Sequence, residues 1–404
     1  MGLRNSTLPL NGIRVVDFSH LVAGPFGTLQ LAYFGAEVIK VESTVRPDTW
    51  RIREGNKDIE QSRPFADHNR NKLSVTINLK TEEGGDIIRR LIQISDVVVE
   101  NFSAGVMARL GLDYESLKRM KPDIIMASLQ GLGETGPRRD YVTWGPSLMS
   151  YSGLTYLWNE PNEPIPVGSQ TAYPDYIVSL HMAFAVMAAL HYREKTGEGQ
   201  YIDISQAEAT ASLIGPAMLD YLVNQRVSQP LGNHSVSRSP HGCYRCQGED
   251  QWCVISVADD KEWSRFCQVI GNPSLVEDAR FDTPLKRVKN REELDQYVQK
   301  WTAQLSPEEV EGKLQGVGIS AGVVHNGVTL ANDKHLWSRD AIQVHEHPRQ
   351  GRMTLPGLAM KLSDSPGAII RHAPLLGQDN DYVFRHLLGL SEEEIQRLRE
   401  AGAF

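Results

Sequence analysis

The sequence predicts an α/β protein: a parallel, doubly wound sheet together with a smaller, compact α+β domain. Three observations predict it. Over the first 130 residues, short runs rich in Val and Ile alternate with stretches of helical period, as strands joined by crossover helices do. The 404 residues suffice for two to three domains at about 150 residues each. The composition also turns polar twice, over residues 225–238 and 333–350, and the segment between has strands and helices of its own.

Residues 13–18 (IRVVDF) read as a buried strand, an apolar run ending in polar residues. Gly24-Pro25 opens a helix through Tyr33, and Gly35 stops it. Residues 37–42, 73–79, 96–100 and 124–129 read as further strands. Residues 81–94 have helical period, and a short helix ends over 117–121. A long apolar helix follows at 176–191, a strand at 201–204 and a single helix at 206–223. In the bracketed segment, 252–257 and SAGVV are strands, while 260–271 and 292–305 are helices. Ser391 caps the last helix, with Glu394 at the capping-box position.

Apolar residues make up 41% and charged residues 23%, the balance of a folded globular chain. Acidic side chains exceed basic ones by eight, which excludes a nucleic-acid backbone as the expected partner. The stretch 177–190 is broken by His181 and falls short of the ~20 residues a bilayer span needs, so no membrane is expected. MGLRNSTLPL has no signal-like apolar core. Met1-Gly2 with Ser6 loosely fits a myristoylation pattern, although an ordinary start explains it better. The expected location is the cytoplasm.

Cys243, Cys246, Cys253 and Cys267 fall within 25 residues, and Cys243-Tyr-Arg-Cys246 is a C-x-x-C. No second C-x-x-C follows, and the other two cysteines sit on apolar patterns. Buried or half-buried free thiols are therefore expected over a zinc or redox site, and no metal. Neither a phosphate-loop motif nor His-Glu-x-x-His occurs. Gly131, Gly133 and Gly136 spell the dinucleotide-binding triplet after a strand, yet no amphipathic helix follows and no acidic strand end lies ~20 residues on. A nicotinamide oxidoreductase ranks last on that ground.

Six blocks then occur in order: LNGIRVVDFSHLVAGPFGTLQLAYFGAEVIKVE, NRNKLSVTINLKTEEG, DVVVENF, SLQGLGETGP, REKTGEGQYIDISQAEA and APLLGQDND. Together they resemble the class III CoA-transferases, the family of formyl-CoA transferase and carnitine CoA-transferase that also includes α-methylacyl-CoA racemases. The resemblance runs from residue 10 to the C-terminus. It implies a Rossmann-like large domain built from both chain ends (residues 1–225 and 333–404), a small domain at 226–332, and an interlocked dimer. A hetero-oligomer with a homologous subunit is the other arrangement it implies. CoA thioesters would be substrates, with no permanently bound cofactor.

The family's nucleophile is an aspartate just before the long helix, here Asp175 in Tyr173-Pro174-Asp175-Tyr176, with Pro174 where many relatives have Gly. A carboxylate at a helix N-terminus is expected to stay ionised. By itself it reads first as a plain N-cap, and the surrounding family blocks reverse that preference. The implied chemistry is attack on an acyl-CoA to give a mixed anhydride, then an aspartyl-CoA thioester. Gly242 in Pro240-His-Gly-Cys is the expected oxyanion-stabilising position, or else an ordinary turn glycine. For CoA the resemblance points to His20, Leu21, Val22, Asn101, Phe102 and Arg109, with Lys72 and Gln130 nearby. Compared with formyl-CoA transferase, Val22 replaces a glutamine, Ser43 an arginine and Gln130 a lysine, which argues against formyl-CoA and oxalate.

A racemase on the same fold would need a His-Asp pair after the GETGP loop; residues 142–151 hold neither. A non-catalytic subunit is the alternative of another class, against which the retained Asp175 weighs. Trp144, Tyr151, Tyr156 and Trp158 would line a pocket for a bulky or aromatic acid, or pack a dimer. The wording of residues 144–175 is most similar to the benzylsuccinate CoA-transferase branch, whose donor is succinyl-CoA.

Overall fold

The computed structural model describes residues 8–52, 58–169 and 171–404; the Met1-Gly2 pattern lies outside the described residues. The chain divides into two units: Met1–Thr155, Gly168–Arg226 and Lys334–Phe404 form one, and Tyr156–Val167 with Val227–Asp333 the other.

The first unit is organised by six parallel strands among the described residues: β1 (Arg14–Asp17), β2 (Glu37–Glu42), β3 (Leu73–Thr76), β4 (Val97–Glu100), β5 (Ile125–Gln130) and β6 (Tyr201–Ser205). Their order is 3-2-1-4-5-6, every neighbouring pair parallel, the doubly wound arrangement whose crevices open at the strands' carboxyl ends. Period-two alternation sends successive residues to opposite faces. Val15, Val38, Val97, Val99 and Ile125 pack on one face with Leu31, Val178, Met182 and Val186. Val16, Ile39, Val98 and Met126 pack on the other with Ile88, Leu91, Phe384 and Ile395. Chain-terminal residues thus complete a core begun near residue 16.

Helix α1 (Ala23–Tyr33) follows β1 and lies against the long α2 (Tyr173–Thr196). The approach is close because Gly27 has no side chain: a Cβ there would run into Met182 Cε and stand 2.9 Å from the Ser179 carbonyl oxygen. Helix α2 extends past both ends of its predicted apolar stretch. It is the one helix among the described residues long and apolar enough to cross a membrane; its buried side chains belong to the sheet-packing core. Helix α3 (Gln206–Ala211), a 3-10 turn and α4 (Gly215–Asn224) replace the single helix predicted there. Pro216, in the first turn of α4, lacks the N–H that continuity needs.

The second unit carries an antiparallel sheet of β7 (His241–Arg245), β8 (Trp252–Ser256) and β9 (Ser320–Val323) over a core with Trp263, Phe266, Phe281, Leu294 and Val310.

Candidate active site

Buried charges gather at the end of β1 (Asp17), within β2 (Lys40) and just before β3 (Lys72). Asp17 is fully buried and would be pushed up by desolvation. Lys72 and Lys40, with hydroxyl donors Ser19 and Thr28, hold it down at about 2 instead. The Lys72 ammonium donates to Asp17 Oδ2 (3.0 Å), Pro25 O (2.9 Å) and Asn69 Oδ1 (2.9 Å). Burial lowers its pKa to about 8 in spite of Asp17. This corrects the expectation that Lys72 faces CoA: every donor it has is spent inside the fold. Lys40 is equally enclosed, 2.9 Å from Asp48 Oδ2 and 2.6 Å from Ser19 O.

Above this layer, three of the expected residues come together. The His20 amide donates to Asn101 Oδ1 (2.8 Å), and Asn101 Nδ2 donates back to His20 O (2.8 Å). The His20 ring meets Phe102 edge-on at 5.8 Å. Burial, then Lys40, pushes the imidazole pKa down, which favours a neutral ring. Leu21 adopts a left-handed φ of 65°, held by its amide on Asp48 Oδ1 (3.2 Å); such strain in a non-glycine residue clusters at functional sites. Val22 is the N-cap of α1 and supplies no side-chain cap. Arg109 ends a short helix, exposed, its guanidinium without an ion pair among the described residues.

Asp175 sits in the third position of α2. The N-cap is Ala172, and no side chain caps this helix, so Asp175 is not there as a cap. Its carbonyl and that of Ala23 each lie 2.5 Å from Ser179 Oγ, which pins the start of α2 to the start of α1 beside residues 20–22. Its carboxylate shows no hydrogen bond or ion pair among the described residues. Burial pushes its pKa up to about 6. No hydrogen bond to the carboxylate among the described residues offsets that burial. At neutral pH the ionised form still predominates by about tenfold. Gly145 faces it: a Cβ there would stand 2.6 Å from Asp175 Oδ2.

Gln130, at the end of β5, is buried and donates from Nε2 to Glu100 Oε1 (2.9 Å), while its own Oε1 has no partner among the described residues. Glu100 is pushed up to about 7 by burial, although Ser128, the Phe102 amide and Gln130 hydrogen-bond to it. Both line a cavity of about 230 Å³ with Ser128, Tyr114 and Tyr201, beside the last residues of β4 and β5. After the Gly131–Gly136 turns, the next helix begins only at Gly145, which is not a nicotinamide-site geometry.

The expectation for Gly242 is corrected. It lies in strand β7, not in a loop. Hydrogen bonds from Val257 to Pro240 and from Cys246 to Gln251 bracket the β7–β8 ladder. Antiparallel alternation between them commits the Gly242 amide to Ile255, so it is not free to meet an oxyanion. All four cysteines are free thiols, with Cys246, Cys253 and Cys267 in the core of the second unit. Trp144, Tyr151, Tyr156 and Trp158 are all exposed by 44% or more, so none is spent in this chain's own core. One pattern escaped the sequence reading: Gly318-Ile319-Ser320-Ala321-Gly322 spells a nucleophile elbow. However, Ser320 opens β9, where an elbow serine would end a strand and begin a helix.

Among proteins of known sequence, the chain is similar to succinyl-CoA–D-citramalate CoA-transferase of Chloroflexus aurantiacus, 31% identical with 97% of each chain covered. It is 29% identical to human succinyl-CoA:glutarate CoA-transferase, over 98% of this chain and 90% of that one. A probable CoA-transferase, Rv1866 of Mycobacterium tuberculosis, is 34% identical over 96% of this chain, which spans half of that protein's length. Among solved structures, a CAIB/BAIF family protein from Brucella suis superposes with a TM-score of 0.85 at 28% identity, covering 95% of this chain and all of that one. Rv3272 of Mycobacterium tuberculosis gives 0.81 at 27% identity, over 94% and 100%. The family model described as CoA-transferase family III matches residues 10–380. With that match spanning nearly the whole parallel-sheet architecture and Asp175 within it, the chain belongs to CoA-transferase family III and is a class III CoA-transferase.

Proposed function

We propose that this enzyme moves CoA from succinyl-CoA to a second dicarboxylic acid, with Asp175 as the covalent relay. The observation that carries the reading is the Asp175 carboxylate: half-buried and, among the described residues, without a hydrogen-bond or ion-pair partner, it carries the desolvation of a charge without the compensation a structural carboxylate has. Poor solvation makes a carboxylate a better nucleophile. One of its oxygens attacks the succinyl thioester carbonyl, the C–S bond breaks, and CoA leaves as thiolate from a mixed anhydride. The thiolate attacks the aspartyl carbonyl, and succinate departs with one former aspartate oxygen. The acceptor carboxylate attacks the aspartyl-CoA thioester, and the same two steps in reverse deliver acceptor-CoA.

Succinyl-CoA as donor is supported by the names of relatives acting with citramalate, glutarate and malate, all dicarboxylates. An aryl-substituted dicarboxylate such as benzylsuccinate is the acceptor the exposed aromatics favour. For CoA we place Arg109 on a phosphate, as an unpaired guanidinium suits, and His20, Leu21, Val22, Asn101 and Phe102 along the thioester arm. A second subunit, identical or homologous, is supported by α4: it buries no residue, and Met218, Leu219, Leu222 and Val223 are half-exposed or more. Relatives named as alpha and beta subunits keep the hetero-oligomer open.

The test is a screen of succinyl-CoA against dicarboxylates with and without aryl groups, read by mass spectrometry. Turnover is expected only with an acceptor. A lone 2-methylacyl-CoA should gain no α-deuterium from heavy water; rapid uptake would install the racemase reading instead.

A further inference from the structure

We infer that Gly145 is a positioning residue for the acyl-transfer step, its missing side chain holding open the space the Asp175 carboxylate occupies. The inference rests on the reading of Asp175 as nucleophile. Gly145 opens the helix Gly145–Tyr151 and is buried. A Cβ built on it stands 2.6 Å from Asp175 Oδ2 and 2.6 Å from Ala172 Cβ, both well inside van der Waals contact. Backbone freedom is not the reason for glycine here. Gly145 is absent from the positive-φ glycines, so an alanine meets no backbone strain and the contact alone forbids it. Asp175 cannot back away easily, because Ser179 Oγ pins its carbonyl against α1. A side chain at 145 must therefore turn the carboxylate, and turning it moves the attacking oxygen off the line to the thioester carbon. Carbonyl attack tolerates this poorly: about 1 Å of misplacement costs on the order of 100-fold in rate.

Three variants separate the causes: Gly145→Ala, Ala172→Gly and the double variant. Gly145→Ala is expected to lower kcat by roughly 10- to 100-fold, with KM for succinyl-CoA and the affinity for free CoA within about twofold of the parent, because the new methyl meets the carboxylate and not the ligand. Ala172→Gly is expected near the parent rate. The double variant relieves one of the two contacts and keeps the other, so it is expected to remain as slow as Gly145→Ala. A parent kcat in Gly145→Ala overturns the inference, and so does a double variant restored to parent rate, which would put the whole effect in packing against Ala172. Loss of CoA affinity in step with kcat would overturn it too, as general damage. Asp175→Asn, run alongside, keeps the two readings apart: full turnover there removes the nucleophile itself, whatever Gly145 does.

Discussion

Asp175, Lys72 and Glu100 are three enclosed charges with three different fates, decided by what stands beside each. Asp175 has no hydrogen-bond or ion-pair partner among the described residues, and burial lifts its folded-state pKa to about 6, above its ordinary 3.8. The charged form is the costly one. Stability falls as pH rises from about 4 to about 6 and levels off above. Asp175→Asn should abolish turnover and, above pH 6, stabilise the fold by up to about 3 kcal/mol; the gain should vanish near pH 4, as read by urea denaturation across pH. In the parent, kcat should drop tenfold per unit below about pH 6, where the nucleophile is protonated. Lys72 differs in having partners. Lys72→Met strands Asp17 in the core and should cost about 3–5 kcal/mol, while CoA affinity of the folded fraction, by calorimetry, stays unchanged. Glu100→Gln should leave stability unaltered near pH 4.5 and raise it progressively toward pH 7, since burial lifts Glu100 to about 7. Asp175 was legible only through the family blocks around it, because an aspartate before an apolar helix reads first as a cap. The interior role of Lys72 was not legible: its partner Asp17 lies 55 residues away in sequence and meets it only through the β1–β2–β3 order.

At the scale of elements, strands buried on both faces read cleanly from their Val and Ile runs, and residues 37–42 match Glu37–Glu42 to the residue. Half-exposed strands did not. His241–Arg245 and the pair Ile342–His347 with Gly351–Pro356 carry His, Arg and Gln on open faces, and that polarity hid them inside or beside predicted boundaries. The break at Pro216 was written in the sequence, but the apolar residues on both sides masked it. The crossing of α1 and α2 matters most to the site, because it carries Asp175 to the end of β1. Gly27→Ala should destabilise by about 1–3 kcal/mol through overpacking and lower kcat as well, since the Ser179 backbone it would push lies one turn from Asp175. Chemical denaturation and steady-state rates on the same preparation check both parts.

For the whole molecule, periodicity alone announced the parallel sheet, and residue blocks announced the family; neither gave the acceptor acid, because the aromatics proposed to meet it are exposed and read equally as contacts with a second subunit. The open face of α4 makes assembly part of the account. Leu219→Asp with Leu222→Asp should shift sedimentation to a smaller species and reduce activity with it. The central claim is that the Asp175 carboxyl takes the acyl group and then CoA, and it has an isotopic signature. Each turnover leaves one oxygen of the acceptor's carboxylate on the relay aspartate and sends one aspartate oxygen away in the released donor acid. The most direct measurement is therefore a single turnover of succinyl-CoA with an acceptor fully labelled with oxygen-18, followed by peptide mass mapping. One heavy oxygen in the Asp175 side chain is the predicted result; an unlabelled Asp175 beside newly formed acceptor-CoA would contradict the account.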